Sequence, residues 1–318
     1  MMIIKNYDEV RLHFTDATFN DFDNLKPYLQ RALRKLLKII PKSLYDVALA
    51  HHNKPIPDPD HENPVPEVPL DENAPSDDDL DKLVFLIQGC LVFYAFYKRL
   101  PLQNATLKED GLVQTWNDNL RPMRAEDFKN YRNEVLFLFH DSVEALIEFL
   151  NSKSFSQWES SDEKKRSQQT LFLSASDFSA CVPIDDNVRF FYLIIPEILN
   201  AQNILKNDLS SKLGSLIADV HSNSVPVSDL SLLAACRYFC AYYAMIKIAV
   251  RISSEDMPAC LHGVVVSPES RDANSASYAR MAESKRLEVV KLNQPDPADP
   301  LIPIHVPGAQ NSNKGLSI

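Results

Sequence analysis

An internal repeat constrains the fold of this chain more than any other feature of the sequence. Four residues near the start recur farther along at identical spacings, and a second group of four does the same. In the first group, Pro27, Ala32, Leu36 and Leu44 recur as Pro196, Ala201, Leu205 and Leu213. In the second group, Asp79, Leu80, Leu83 and Cys90 recur as Asp229, Leu230, Leu233 and Cys240. Because each copy of a repeat is one folding unit, the two divergent copies predict two similar small domains.

The apolar residues predict a mainly helical structure in both copies. Residues 25–40 and 191–205 place leucine, isoleucine or phenylalanine at steps of three and four, as in a helix with one buried face. Residues 80–100 and 230–252 are apolar nearly all round, which predicts a buried central helix in each unit. The predicted closing helices are residues 125–150 and 276–292.

Shorter signals mark the ends of these elements. Asp79 and Asp229 stand before the two buried helices and are predicted N-caps. The segments that begin at Gly111 and Gly263 are predicted strands or hairpin arms, with the glycine supplying the turn. The fold class is therefore mainly α, with two tandem helical bundles that each carry a short strand or hairpin.

Three segments differ in composition from the predicted helical units. Residues 51–81 are rich in proline and acidic residues, which predicts an exposed loop inserted in the first copy; it is either a passive spacer or a binding arm. Residues 153–170 are predicted to be a linker, in which Phe155 and Trp158 can dock. The predicted organisation is a first unit at 1–152, the linker at 153–170, a second unit at 171–293 and an extended C-terminal arm at 294–318.

Composition excludes several classes of protein. The chain has 318 residues, of which 45% are hydrophobic, and a net charge of −10, so wholesale disorder is not expected and contact with phosphate is disfavoured. The longest apolar run, residues 83–97, is shorter than the roughly 20 residues that cross a bilayer. The first residues lack the pattern of a secretory signal. We therefore expect a protein that folds in a cytoplasm and does not contact membranes.

The sequence predicts no enzymatic activity, cofactor or metal site. It contains no glycine-rich phosphate loop, no His-Glu-x-x-His and no nucleophile elbow. Cys236 and Cys240 are one helical turn apart, but no further ligand pair follows at zinc-finger spacing, and buried free thiols are the expected state of cysteines on apolar helices.

Two groups of residues are predicted to bind partners. Arg31, Arg34, Lys35 and Lys38 form the polar face of the first helix, which is either a solvated face or a surface that receives an acidic partner. The C-terminal arm carries Leu301, Ile302, Ile304 and Val306 between prolines. Such an extended arm with apolar side chains is expected to dock on a neighbouring subunit.

These elements, in their order, resemble a known family. A helix of the form Leu-Lys-Pro-Tyr-Leu-Gln-Arg-Ala at 25–32, an apolar helix, a Gly-Leu-Val element and a closing helix resemble the head–tail connector, or head-completion, adaptors of tailed phages. The chain is more closely similar to an uncharacterised family of Bacteroidetes phages and prophages, with an opening such as Ser-Ala-Ser-Asp-Phe at 174–178. The resemblance covers residues 171–266 and the first copy without its insertion.

The resemblance implies a structural role in the virion neck, in a protein assembled in the host bacterial cytoplasm. Subunits would form a ring, a dodecamer in that family, that docks under the portal protein, extends the DNA channel and offers a platform to tail or neck proteins. Double-stranded DNA would pass without specific binding. The doubled chain leaves open a two-tier dodecamer or a hexamer. The alternatives are a cytoplasmic helical adaptor that recruits partners through the acidic loop and the arm, and a phage assembly or cargo protein outside the neck.

Overall fold

In the computed structural model, both halves of the chain are built mainly of α-helices. The structure describes residues 2–14, 22–54, 75–103, 105–108, 111–114, 124–153, 155–251, 256–257, 261 and 268–294. The predicted mainly helical fold is confirmed. Residues 55–74 of the predicted acidic loop, residues 263–266 of the second predicted strand and residues 295–318 of the predicted arm lie outside the described residues.

The first half of the chain contains five helices and one pair of strands among the residues described. The helices are α1 (Tyr7–Arg11), α2 (Lys26–Leu36), α3 (Lys42–His52), α4 (Asp77–Gln103) and α5 (Ala125–Ser152); the strands are β1 (Ala105–Lys108) and β2 (Gly111–Gln114). The strands pair antiparallel, and Lys108 stands opposite Gly111. The predicted hairpin arm at Gly111 is thus present, and the glycine lies at its turn end, opposite the last residue of β1.

After two further short helices, the second half has a short helix, two helices, a long apolar helix and a closing helix in the same order as the first half. Its elements are α6 (Ser156–Glu159), α7 (Asp162–Ser167), α8 (Ala175–Ser179), α9 (Val188–Leu209), α10 (Ser211–His221), a 3₁₀ turn (Val227–Asp229), α11 (Leu230–Arg251) and α12 (Pro268–Leu292). One difference is that α3 packs on α4, whereas α10 packs on α9. The common origin of the two halves stays a prediction.

Buried apolar side chains form two clusters, one for each half. The first cluster runs from Ile3 to Trp158, and the second from Leu171 to Val289. Val188 and Tyr192, both on α9, pack against both clusters. The two cores therefore meet along α9, whose neighbour on the side of the first core is α5.

The central helix of the first core is α4. By length and composition alone, residues 77–101 could cross a membrane, but 72% of the most apolar window is buried inside the protein. α2, α3 and α5 all pack on this helix. Its apolar character is therefore explained by neighbours on several sides, as the sequence predicted for residues 80–100.

The starts of the two long apolar helices differ from each other. α4 begins at Asp77, and the backbone N–H of Asp79 donates to Ser76 Oγ over 3.1 Å. Ser76 is thus the capping residue, and the prediction that Asp79 is the N-cap was wrong. Asp229 does directly precede α11, and its carboxylate accepts a 2.6 Å hydrogen bond from Lys212 Nζ.

The predicted helix at residues 25–40 ends earlier, at Leu36. Pro41 stands at the N-cap position of α3 in an extended conformation. The residue before a proline disfavours the helical conformation, and the proline nitrogen has no hydrogen to donate to a helical hydrogen bond. The chain therefore turns between α2 and α3, and Ile40 remains buried in the first core.

The predicted linker, residues 153–170, contains two helices, of which α6 packs on the first core and α7 on α9. Phe155 and Trp158 are fully buried in the first cluster. The indole Nε1 of Trp158 donates to Asn151 Oδ1 at the end of α5, over 3.1 Å. Burial of large aromatic side chains fixes the path of α6 and α7 between the two halves.

The two ends of the predicted loop lie side by side. The predicted boundaries, 51 and 81, fall inside α3 and α4. His51 Nε2 lies 2.7 Å from Asp81 Oδ1, and Lys54 Nζ donates to Asp77 Oδ1 over 3.2 Å. The insertion thus leaves and rejoins the helical core at neighbouring points.

Candidate functional site: a basic cleft between the two cores

The helix α2 presents one apolar and one basic face, as its sequence predicts. Leu29, Ala32 and Leu36 are buried in the first core. Arg31, Arg34 and Lys38 are exposed, and Lys35 is half-buried. The apolar and the basic residues lie on different sides of the helix, so burial of the apolar side directs the four cations away from the core.

Arg31 and Arg34 lie on the outer side of the helix. The guanidinium carbon of Arg31 stands 5.6 Å from the ring centre of Tyr28, and Arg34 Nε donates to the carbonyl of Gln30 over 3.4 Å. These are contacts within the helix itself. They fit the interpretation of a solvated face for this pair of arginines.

Lys35 and Lys38 line a cleft of about 280 Å³ between the two cores. Residues from four helices and from one short described segment form its wall. They are Lys35, Lys38 and Ile39 near the end of α2, Phe139 of α5, Glu163 of α7, Arg189, Tyr192 and Leu193 of α9, and Asp256. The structure thus separates the four predicted basic residues into two outer arginines and two lysines at the cleft.

Asp256 joins the two halves at the cleft. Its carboxylate Oδ1 lies 2.6 Å from Lys35 Nζ, and the two side chains are 24% (lysine) and 20% (aspartate) exposed. Its backbone carbonyl accepts a 2.9 Å hydrogen bond from Arg189 Nη2. One residue therefore binds a cation from each core.

Arg189 is the most buried cation of the cleft, with a relative exposure of 5%. Burial lowers the pKa of its guanidinium to about 10, and the nearby carboxylates of Asp256, Glu144 and Asp141 oppose that shift. The side chain is therefore charged at neutral pH. Its buried Nε has no hydrogen-bond acceptor among the residues that the structure describes.

Glu144 connects the first core to the start of α9. Its Oε1 accepts from the backbone N–H of Val188 over 2.8 Å, and its Oε2 accepts from Asn187 Nδ2 over 2.9 Å. Asn187 in turn caps its own helix by accepting from the N–H of Phe190 over 2.7 Å. Burial raises the pKa of Glu144, and the bond to Val188 opposes this. A carboxylate beside a helix N-terminus is favoured by the helix dipole.

The groups that line the cleft differ in chemical character. The cleft combines ammonium and guanidinium groups with apolar side chains, which suits a carboxylate carried on an apolar or extended chain. The sequence did not predict Arg189, Asp256 or Glu144 as part of a site. The one available signal was Arg189 itself, a single charged residue in the otherwise apolar run at 188–195.

The remaining predicted site residues and the cysteines lie apart from the cleft or outside the described residues. Leu301, Ile302, Ile304 and Val306 lie outside the described residues. Cys90, Cys236 and Cys240 are buried free thiols, and burial raises the pKa of Cys236 to about 12. Within the described parts of the chain, no group of three or more histidine, cysteine, aspartate or glutamate residues is placed to hold a metal ion.

Comparison with known proteins gives one match. A family model described as a family of unknown function, DUF6712, matches residues 33–168, from α2 to the residue that follows α7. This range contains Lys35, Lys38 and Glu144 and ends before Arg189 and Asp256. No curated protein and no solved structure matches the chain. Over its first core and linker, the chain is therefore similar to a family whose function is itself undefined.

Proposed function

We propose that this protein is a structural subunit of the neck of a tailed phage, a head–tail connector that assembles as a ring under the portal. In this role it extends the DNA channel and offers a platform to tail or neck proteins. The sequence resemblance described above is the starting point of the proposal. Its physical support comes from the exposed apolar side chains.

The observation that carries the proposal is that each half exposes large apolar side chains. In the first half, Phe85 is 50% exposed and Leu138 is 40% exposed. In the second half, Val227 is 85% and Leu287 is 63% exposed. Single exposed apolar residues are common, but a ring subunit needs two different surfaces that meet in neighbouring copies. Exposed apolar residues on both halves supply candidates for those surfaces.

The charge of the chain fits a channel through which DNA passes. With 43 acidic against 33 basic residues the chain carries a net charge of −10, which opposes retention of the duplex. The competing function, a cytoplasmic helical adaptor, shares the helical fold and needs no ring. The two functions differ in whether the protein is found in virions.

Quantitative mass spectrometry of purified phage particles tests the proposal. The copy number of this protein is compared with that of the portal protein in the same particles. A ratio near unity supports a dodecamer of the doubled chain, and a ratio near one half supports a hexamer. Absence from particles overturns the neck function and leaves the adaptor.

A pair of variants on neighbouring residues sharpens this test. Val227→Asp places a charge on the most exposed apolar residue of the second half, and Ser231→Asp places one on an exposed polar position one turn farther along. If Val227 lies at a subunit contact, the first variant is depleted from particles and the second is incorporated normally. Equal incorporation of both excludes Val227 from the contact.

A further inference from the structure

We propose that the basic cleft between the two cores binds the acidic, proline-rich segment 55–74 of a second copy of this chain. The inference deepens the proposed function and rests on it for the number of copies, since it names one contact between ring neighbours. Three observations support it: the side chains that line the cleft, the buried Nε of Arg189 without an acceptor among the residues described, and the negative charge of the segment.

The positive charge at the mouth of the cleft is available to a partner. Lys38, which follows the end of α2, lines the cleft and is exposed. Deeper in the cleft, Lys35 is bound by Asp256, and Arg189 faces Asp256, Glu144 and Asp141. Glu163 is the remaining acidic residue of the wall. Among the residues that line the cleft, the three cations exceed the two carboxylates by one, and the exposed cation is Lys38.

Arg189 gives a second, independent reason to expect a ligand. Its Nε is buried and lacks an acceptor among the residues described, although the side chain lines the cleft. An unsatisfied buried donor of a charged group costs free energy in the empty cleft. The bond from Lys35 to Asp256 shows that a carboxylate is accommodated here. A second carboxylate entering from outside would supply the missing acceptor.

Segment 55–74 has the properties that this cleft would select. It contains six acidic residues, no lysine or arginine, and apolar residues between its prolines; the acidic ones are Asp58, Asp60, Glu62, Glu67, Asp71 and Glu72. The apolar wall of the cleft, with Ile39, Phe139 and Leu193, can receive a valine or leucine beside a carboxylate. A proline-rich chain loses less conformational entropy on binding than a flexible one.

A polypeptide fits these observations better than nucleic acid does. A volume of about 280 Å³ is close to the smallest ligand pockets and holds a few side chains of an extended chain. The apolar wall gives no advantage to a phosphate backbone, and the net charge of −10 repels it. A chain that carries both a basic cleft and an acidic segment can form a head-to-tail contact, which closes into a ring when the geometry allows.

A synthetic peptide of residues 55–74 tests the cleft as the receptor. The labelled peptide is titrated with the full chain and followed by fluorescence anisotropy, beside a control peptide in which every Asp and Glu is replaced by Asn or Gln. We expect binding of the acidic peptide only, weakened by salt. Lys38→Glu should weaken it at least about tenfold, as for loss of a charge-assisted hydrogen bond, whereas Lys291→Glu, an exposed lysine on α12, should not.

Several results would overturn the assignment of the cleft. Absence of binding, equal binding of the neutral peptide, or equal effects of Lys38→Glu and Lys291→Glu would each do so. Displacement of the peptide by duplex DNA at lower concentration than by unlabelled peptide would assign the cleft to nucleic acid instead. Circular dichroism of both variants checks that the exposed substitutions leave the fold intact.

A complementation experiment tests whether the segment comes from a second copy. One chain carries Lys38→Glu, and the other carries the neutralised segment, so each lacks one side of the contact. By analytical ultracentrifugation, the mixture should associate more strongly than either chain alone, because one intact contact can form only between them. No gain in the mixture overturns the second copy as the source. A gain, with the protein absent from particles, would refute the neck function while keeping the contact.

Discussion

The closing helices of the two halves, α5 and α12, have the same place in the order of elements but are held in different ways. The buried residues of α5 are Val135, Leu136, Phe139, His140, Val143, Leu146, Ile147, Phe149 and Leu150. Those of α12, among its described side chains, are Ala282 and Val289. α5 packs on α4 and also on α9 of the second core, whereas α12 packs mainly on α11. α5, which lies between the two cores, is therefore apolar over more of its surface than α12, which closes only the second core.

Polar contacts compensate for the small buried surface of α12. Arg286 Nε and Nη2 donate to the two carboxylate oxygens of Asp208, over 2.8 and 3.2 Å, and Asn293 Nδ2 donates to the backbone carbonyl of the same residue over 3.0 Å. Bidentate pairs of this kind fix orientation as well as adding energy. α5 is therefore held by apolar burial on two sides, and α12 by one apolar side and the ion pair between Arg286 and Asp208.

The largest effect is expected from truncation of the apolar contacts of α5. Phe139→Ala removes a ring that is 1% exposed and contacts Tyr94 with ring centres 4.8 Å apart. The free energy of unfolding should fall by about 3–5 kcal/mol, measured by urea denaturation. Val143→Ala on α5 and Val289→Ala on α12 are the matched pair, since both valines are fully buried; each should cost about 1–3 kcal/mol, with the larger loss on α5. Equal losses would contradict the difference between the two helices.

A smaller effect is expected from the contact between α5 and the start of α9. Glu144→Gln replaces one of the two accepting oxygens by a donor that faces Asn187 Nδ2 or the N–H of Val188. We expect a loss of about 1.5–3 kcal/mol, the range for hydrogen bonds to charged groups. Hydrogen exchange should increase first at residues 188–191. Unchanged exchange there would show that α9 does not depend on the first core.

The ion pair between α12 and Asp208 should contribute less. Arg286→Ala removes the pair with Asp208, in which the arginine side chain is 36% and the aspartate 14% exposed. For a partly exposed pair we expect a loss of about 1 kcal/mol. Denaturation midpoints in low and high salt isolate the electrostatic contribution of the pair, because the stability difference between wild type and Arg286→Ala should decrease with salt. A loss as large as that of Phe139→Ala would reverse the comparison.

The last test changes pH and should give the smallest net effect. Burial raises the pKa of Glu144 and Asp141 in the folded state, so folded protein binds more protons than unfolded protein just above the ordinary carboxyl range. This contribution to stability therefore falls as pH rises through the window and is regained on acidification. Asp79, whose pKa is lowered mainly by its bond to Lys153, acts in the opposite direction.

Thermal midpoints of wild type and Glu144→Gln across pH 4.5–7 isolate the contribution of this group. The difference between the two proteins should change with pH in the direction given above, since glutamine does not titrate. Asp79→Asn, measured below the ordinary carboxyl pKa, is the control for a lowered pKa: there the wild-type advantage at this position should be lost as pH falls. A constant difference between wild type and Glu144→Gln would contradict the raised pKa.

The sequence predicted the helices well because the spacing of their apolar residues shows which side of each helix is buried. α4 and α11 were predicted from runs that are apolar nearly all round, and α5 from its amphipathic spacing. Boundaries were less accurate, since the end of α2 depends on Pro41 and the start of α4 on Ser76. α12 begins at Pro268, earlier than the predicted residue 276, because its first turns are polar and small.

The junction between the cores could not be predicted in the same way. Lys35, Glu144, Arg189 and Asp256 come from four separate parts of the chain, and no spacing rule connects them. Local patterns report which face of a helix is buried, but not which other helix covers it. Lys35 and Lys38 were identified as a possible binding surface from charge alone, and the cleft that contains them became visible only once α9 was placed.

The neighbouring ends of the insertion bear on how this protein can change during evolution or engineering. Since Lys54 and Asp77 are already in contact, the chain between them spans almost no distance, and its length is not dictated by the helices. The entropy cost of closing a loop rises slowly with its length, by about 0.6 kcal/mol for each doubling. This position can therefore accept longer, shorter or foreign sequences, such as an epitope or a fluorescent domain, while α3 and α4 remain in register.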